Sequence, residues 1–173
     1  GPTVPGQAQV LAHHHRMQGR LGERGWQLQA LNIHTASSMN TTTSDPIDTW
    51  HRVLKERNVQ ALDALLAPGA VFHSPVVHTP QAGRAVTKAY LAAALQVLGN
   101  ESFRYVREVR QGQDAVLEFE LELDGIHVNG VDMIRWNDQG QITDFKVLLR
   151  PLKAVNLIHQ KMAAMLQARS TSA

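Results

Sequence analysis

From residue 45 onward the apolar positions fall into clear periods. Ile47, Trp50, Val53 and Leu54 recur at helical spacing, behind Ser44 or Asp45 as a cap and Pro46 at the first helical position, and predict an amphipathic helix. Asn58 breaks it. Val59, Leu62, Leu65 and Leu66 predict a second, short helix that stops at Pro68-Gly69. Residues 70–74 read as a strand ended by Pro75, with residues 76–78 as its candidate partner. Gly83 opens a third helix with Val86, Tyr90, Ala93, Ala94 and Val97 along one face, and Gly99-Asn100 closes it.

The pattern then changes from helical to strand period. Residues 103–110 predict one strand and residues 115–123 a second. In the second, Leu117, Phe119, Leu121 and Leu123 alternate with Glu118, Glu120 and Glu122, so one face is wet and the other buried. Asp124-Gly125 is a hairpin turn signal. Residues 126–136 and 141–149 predict two more strands around the turn Asn137-Asp138-Gln139-Gly140. Pro151 begins a last amphipathic helix through Leu152, Val155, Ile158, Met162, Met165 and Leu166. Helices segregated from an antiparallel meander define the α+β class.

One residue breaks this regularity. On the third long strand the even positions share a face: Ile126, Val128, Gly130, Asp132, Ile134 and Trp136. A carboxylate on an apolar face is costly unless it is hydrogen-bonded, paired or protonated, and burial raises its pKa. Asp132 is therefore either a functional group or a structural one, satisfied by backbone amides or by an arginine such as Arg104 or Arg107. The other candidates for acid–base work are His73 and His78, which flank Ser74-Pro75-Val76-Val77; a histidine at a strand end can serve as acid or base near neutrality or stand exposed as a surface residue. Ser74 lacks a nucleophile elbow around it. Trp50 and Tyr90 sit on apolar helix faces, and His51 and His159 are expected at surface or flanking helix positions.

Length and composition narrow the class. The 173 residues suit one domain with a sizeable core; 43% apolar and 18% charged residues match a globular chain, with no apolar run of membrane-spanning length. There is no cysteine, which removes disulfides and thiolate chemistry and is compatible with a cytoplasmic location. The net charge of +2 resides in residues 1–38, where Arg16, Arg20 and Arg24 face a single Glu23; the remainder is balanced, so no nucleic-acid partner is expected. Residues 1–38 are rich in Gly and Gln without a sustained period, and are expected to be a disordered or non-native extension preceding a domain over 39–173, with Met39 as a natural start. The run His13-His14-His15 lacks a fourth ligand at metal spacing, and no phosphate loop or dinucleotide fingerprint is present, so neither metal nor cofactor is expected.

Three passages carry a resemblance: Asn58 to Pro75, a helix running into a strand; Gly83-Arg84 opening the next helix; and Val131 to Ile142, a strand, Gly turn and strand. With Arg150-Pro151-Leu152 at the end, the stretch from Asp48 to Leu152 resembles the nuclear transport factor two-like superfamily, particularly its SnoaL-like polyketide cyclase and ketosteroid isomerase branches. The resemblance implies a curved sheet folded with its helices into a cone, a small-molecule pocket inside it, and a homodimer. It places Asp132 where ketosteroid isomerases hold a protonated, hydrogen-bond-donating aspartic acid. Ser74 falls where those isomerases have their general base, and Trp50 near their oxyanion-hole tyrosine. Serine cannot act as that base at neutral pH, and an indole donates but cannot exchange a proton, so steroid isomerisation itself is not expected. SnoaL-like cyclases use a pocket acid on an aromatic polyketide ester, which again singles out Asp132. The expected function is acid–base isomerase, cyclase or lyase chemistry on a small apolar, cyclic carbonyl compound, or binding of such a molecule without chemistry, or a dimeric interaction domain. Asp132, His73 and His78 are the candidate catalytic residues; Trp50, Phe72, Ser74, Tyr90, Ile134 and Val147 are the candidate ligand contacts.

Overall fold

The computed structural model describes residues 45–171. The expected N-terminal extension over 1–38 and the His13-His14-His15 run lie outside the described residues. Helix α1 (Pro46–Glu56) begins where Asp45 Oδ1 accepts a hydrogen bond from the amide of Ile47 at 2.8 Å, with Pro46 at its first position. Arg57, in the left-handed region at φ 52°, ends it. Asn58 then caps a single 3₁₀ turn (Val59–Ala61), which runs into the one-turn helix α2 (Leu62–Leu65).

Strand β1 (Leu66–His73) starts four residues before the predicted strand, ahead of Pro68-Gly69. Its ladder with β6 (Ile142–Arg150) slips in register between Leu66 and Val71. Pro68, which has no amide hydrogen to give, sits inside that slip, where no ladder bond is lost. The partner of β1 is the two-residue β2 (Gln81–Ala82), in place of the predicted residues 76–78; it covers only Val71 and Phe72. The freed carbonyls of β1 are taken by α3 (Arg84–Leu98) and its lead-in. Arg84 Nε donates to the carbonyl of Leu66 at 2.9 Å, while the amide of Gly83 and the buried Thr87 hydroxyl both donate to that of Ala70. This ties α3 across β1 and satisfies the carbonyls of Leu66 and Ala70.

Strands β3 (Arg104–Gln111), β4 (Asp114–Leu123), β5 (Ile126–Trp136) and β6 form the predicted meander. The six strands make one curved, unclosed sheet in the order β2-β1-β6-β5-β4-β3, antiparallel except at the β1–β6 seam, where the strands are parallel. The odd positions of β4 and the even positions of β5 face inward, as their alternation requires. The opposite face carries short ion pairs, Arg104 with Glu120 and Arg107 with Glu118, beside exposed Val116, Met133 and Leu148. Both arginines proposed as partners for Asp132 are thus spent on the outer face: a bulge between Tyr105 and Arg107 lets these two, three apart, each pair with an outward-facing glutamate of β4. Helix α4 (Leu152–Ser170) returns over the inner face and packs against α3. Among the described residues no helix is long and apolar enough to cross a membrane.

Gly130 shows how tightly the inner face is drawn. It lies opposite Phe119 in the β4–β5 ladder, and a Cβ there would run into the Phe119 ring. Phe119 cannot move away, since it stacks on Phe103 with ring centroids 5.3 Å apart. Gly130→Ala is therefore an overpacking change, expected to cost about 1–3 kcal/mol. Chemical denaturation should show a lowered midpoint with unchanged m-value; a variant as stable as the parent would mean the ring has room to turn.

Candidate functional site

The inner face of the sheet, α1, α3 and α4 enclose a cavity of about 220 Å³. The sheet supplies Phe72, Phe119, Phe145 and Val147 as one wall. Helix α3 supplies Tyr90, Leu91 and Leu95 opposite, and α4 supplies Ile158, His159, Met162 and Leu166. Trp50 and Leu54 close it from α1, and the segment Ser74–Val77 borders it after β1. The aromatic walls support one another: Trp50 meets the edge of Phe145 at 4.9 Å, and Phe72 stacks on Tyr90 at 5.1 Å. Apolar walls with few polar groups are the usual make-up of a small-molecule site.

Asp132 is the one acidic side chain in this lining, and it is only 6% exposed. It stands on β5 between Leu117 of β4 and Val147 of β6. The Tyr105 hydroxyl donates to its Oδ2 at 2.6 Å, and the Trp50 indole Nε1 donates to that hydroxyl at 2.9 Å. Oδ1 has no hydrogen-bond partner among the described residues. Yet no sealed side-chain oxygen or nitrogen among the described residues lacks a partner, so Oδ1 opens onto the cavity. Burial is the main cause that pushes the Asp132 carboxyl up to about 7; the hydrogen bond from Tyr105 pulls the other way, and burial outweighs it. Burial and the adjacent carboxyl hold the Tyr105 phenol well above its ordinary value, so it stays protonated.

The structure brings together some of the residues singled out from the sequence and separates others. Trp50, Phe72, Ser74, Tyr90 and Val147 line the cavity with Asp132. Ile134 shares the face of Asp132 but is packed into the core outside the cavity wall. His73 also stands outside the lining, its Nε2 2.7 Å from Asp144 Oδ2 on the neighbouring strand, and His78 is exposed beyond the strand end. Ser74 Oγ accepts from the amides of Val76 and Val77, which folds the chain back at Pro75. Two polar lining residues were not predicted. His159, expected at a surface or flank, is on the cavity wall because α4 crosses the inner face. Tyr105 is the other: its neighbours Arg104, Val106 and Arg107 read as an exposed edge strand, and only the aromatic pair Phe103 and Tyr105, two apart, marks an inward face. A bulge between Tyr105 and Arg107 resets the alternation there.

The chain folds as a curved sheet with overlying helices around an apolar cavity that holds one buried acid. The SnoaL-like domain family matches residues 47–145, and the chain belongs to that family. Among solved structures it is similar to a steroid delta-isomerase from Pseudomonas aeruginosa, at 32% identity over 78% of this chain and 98% of that one, with a TM-score of 0.70. It is also similar to an uncharacterized bacterial protein with a cystatin-like fold from Silicibacter pomeroyi DSS-3, at 33% identity over 73% of this chain and 90% of that one, TM-score 0.66. An NTF2-like protein of unknown function from Mesorhizobium loti shares the fold at 21% identity, TM-score 0.55, over 63% of this chain and 91% of that one. No curated protein matches the chain.

The raised Asp132 value makes stability pH-dependent. Its carboxyl loses a proton near pH 4 in an unfolded chain but near 7 in the native protein. Between those values the native state holds a proton that the unfolded chain has lost. The contribution is therefore complete below about pH 4 and is lost as pH rises to about 7, by up to ~4 kcal/mol. Asp132→Asn removes it. The difference in unfolding free energy between Asp132→Asn and wild type is expected to widen in favour of the variant from pH 4.5 to pH 8, followed by denaturant melts at each pH; a constant difference would place the Asp132 titration at its ordinary value.

Proposed function

We propose that this protein binds a small cyclic carbonyl compound in the cavity and polarises the carbonyl oxygen through Asp132. The observation that carries this is the uncommitted Oδ1 of a buried carboxyl opening onto an apolar cavity. At neutral pH and below, a protonated Asp132 can donate there to a ligand acceptor, and a site built around one such donor discriminates strongly against molecules that leave it unpaired. The size of the cavity bounds the ligand. An engineered cavity of about 150 Å³ takes one benzene ring; about 220 Å³ here favours one or two fused rings over a four-ring skeleton.

A second side chain favours chemistry over simple binding. His159 borders the same cavity, and imidazole is the side chain suited to accepting a proton near neutrality. The reaction this allows is enolisation: a C–H bond next to the carbonyl breaks, its proton goes to the imidazole, and the electron pair moves to the oxygen held by Asp132. The steroid isomerase from Pseudomonas aeruginosa shows that the fold can host an isomerase. Ser74 stands at the position expected of the isomerase base, with its hydroxyl oxygen engaged by two amides, so His159 is the better proton acceptor in this chain.

Calorimetry with cyclohexanone and 2-tetralone tests binding. Affinity for the ketone is expected to fall about tenfold per pH unit above about 7 as Asp132 ionises, and to lose that dependence in Asp132→Asn. No saturable binding of either ketone, or binding indifferent to pH, would sink the reading. Deuterium exchange next to the carbonyl of 2-tetralone, followed by NMR, tests the chemistry. Wild type should accelerate it, with His159→Gln losing about 10²-fold. Binding without exchange would leave a ligand-binding protein.

A further inference from the structure

The three polar groups at the base of the cavity form a chain with a fixed direction. The Trp50 indole is a donor only; it has no lone pair to accept with. It therefore commits one lone pair of the Tyr105 hydroxyl oxygen, at 2.9 Å. The phenol has one proton, and it lies on the 2.6 Å contact to Asp132 Oδ2. A donor that is itself receiving a hydrogen bond is polarised and donates more strongly. We propose that Trp50 is a positioning residue that acts on Asp132 through Tyr105: its indole sets the direction in which the phenol gives its proton, and with it how tightly Asp132 holds its own. The proposal rests on the reading of Asp132 as the ligand-holding carboxyl.

The surroundings hold Trp50 in that pose. Its ring makes a T-shaped contact with Phe145, and its helix is tied to β3 at two points. His51 Nε2 lies 2.6 Å from Glu108 Oε2, and Arg110 reaches Asp45 and Asp48 at 2.8 and 2.9 Å. His51 also meets the Tyr105 ring edge-on at 5.2 Å. The chain thus links α1, β3 and β5, three elements that share no short connection. The titratable groups around Asp132 are Tyr105 and, beyond it, Glu108 on β3, His51 on α1, Tyr90 on α3 and His159 on α4; the flanking strands present Leu117 and Val147.

The test uses the free protein. Carboxyl-carbon NMR of aspartate-labelled protein, with Asp132 identified by its loss in Asp132→Asn, gives its midpoint. Trp50→Phe removes the indole donor and keeps an aromatic ring against Phe145; the Asp132 midpoint is expected to rise by about half a unit. Tyr105→Phe, which removes the direct donor, should raise it further. Val116→Ala, on the outer face of the sheet and away from the cavity, should leave it in place. In wild type the Trp50 indole proton should titrate with the Asp132 midpoint, a readout that needs no variant. An unmoved midpoint in Trp50→Phe with a moved one in Tyr105→Phe, or an indole signal indifferent to the titration, would reduce Trp50 to a packing residue. Because no ligand is present, failure of the ketone reading would show in calorimetry and leave this titration untouched.

Discussion

The carboxyl of Asp132 costs free energy in this fold whichever form it takes. Ionised, it is stripped of water inside an apolar cavity; neutral, it still needs partners for a donor and an acceptor. The structure gives it one strong hydrogen bond, from Tyr105, and leaves the other oxygen open. That half-satisfied state is a poor choice for stability alone, since an apolar residue would fill the site at less cost. The proposed ligand site would account for that choice, and the remaining geometry fixes where the carboxyl stands.

Much of the scaffold exists to bring three distant segments to one point. The register of β4 on β5 sets Asp132 on the inner face, and Gly130 beside it lets the Phe119 ring lie flat across the pleat. Alternation from Phe103 turns Tyr105 inward, just ahead of the bulge in β3, on a strand whose other side chains are mostly exposed. The cap at Asp45 and the ion pairs of Arg110 fix where α1 begins, which fixes where Trp50 falls. Each exposed pair contributes little alone, but they act on a helix already anchored by the burial of Ile47, Trp50 and Val53. Helix α4 closes the cavity from the other side and carries His159 to it.

The resemblance read from the chain and the observed fold agree, and the physical reason lies in local signals. Alternation on β4 and β5, the turns at Asp124-Gly125 and Asn137–Gly140, and the helical periods of α1 and α3 all reflect burial of one face of one element, which neighbouring residues are enough to encode. The misplacements fell where pairing is non-local. Pro68-Gly69 looked like the end of a helix rather than the interior of a strand, because its tolerance there depends on a register slip against β6, a strand some seventy residues later. The choice of residues 81–82 over 76–78 as partner for β1 was invisible for the same reason.

By itself the sequence determined that a carboxyl would sit on a buried face, because a period of two leaves a residue at position 132 no other side to occupy. It also determined the class of fold and the apolar character of the residues around the site. Only the tertiary structure decided what that carboxyl touches. Tyr105 lies 27 residues from Asp132, and Trp50 lies 55 from Tyr105. No periodicity within an element reports which hydroxyl will face which carboxyl across a curved sheet. Hydrogen bonds depend on positions to within a few tenths of an ångström, whereas burial depends only on which face is turned inward.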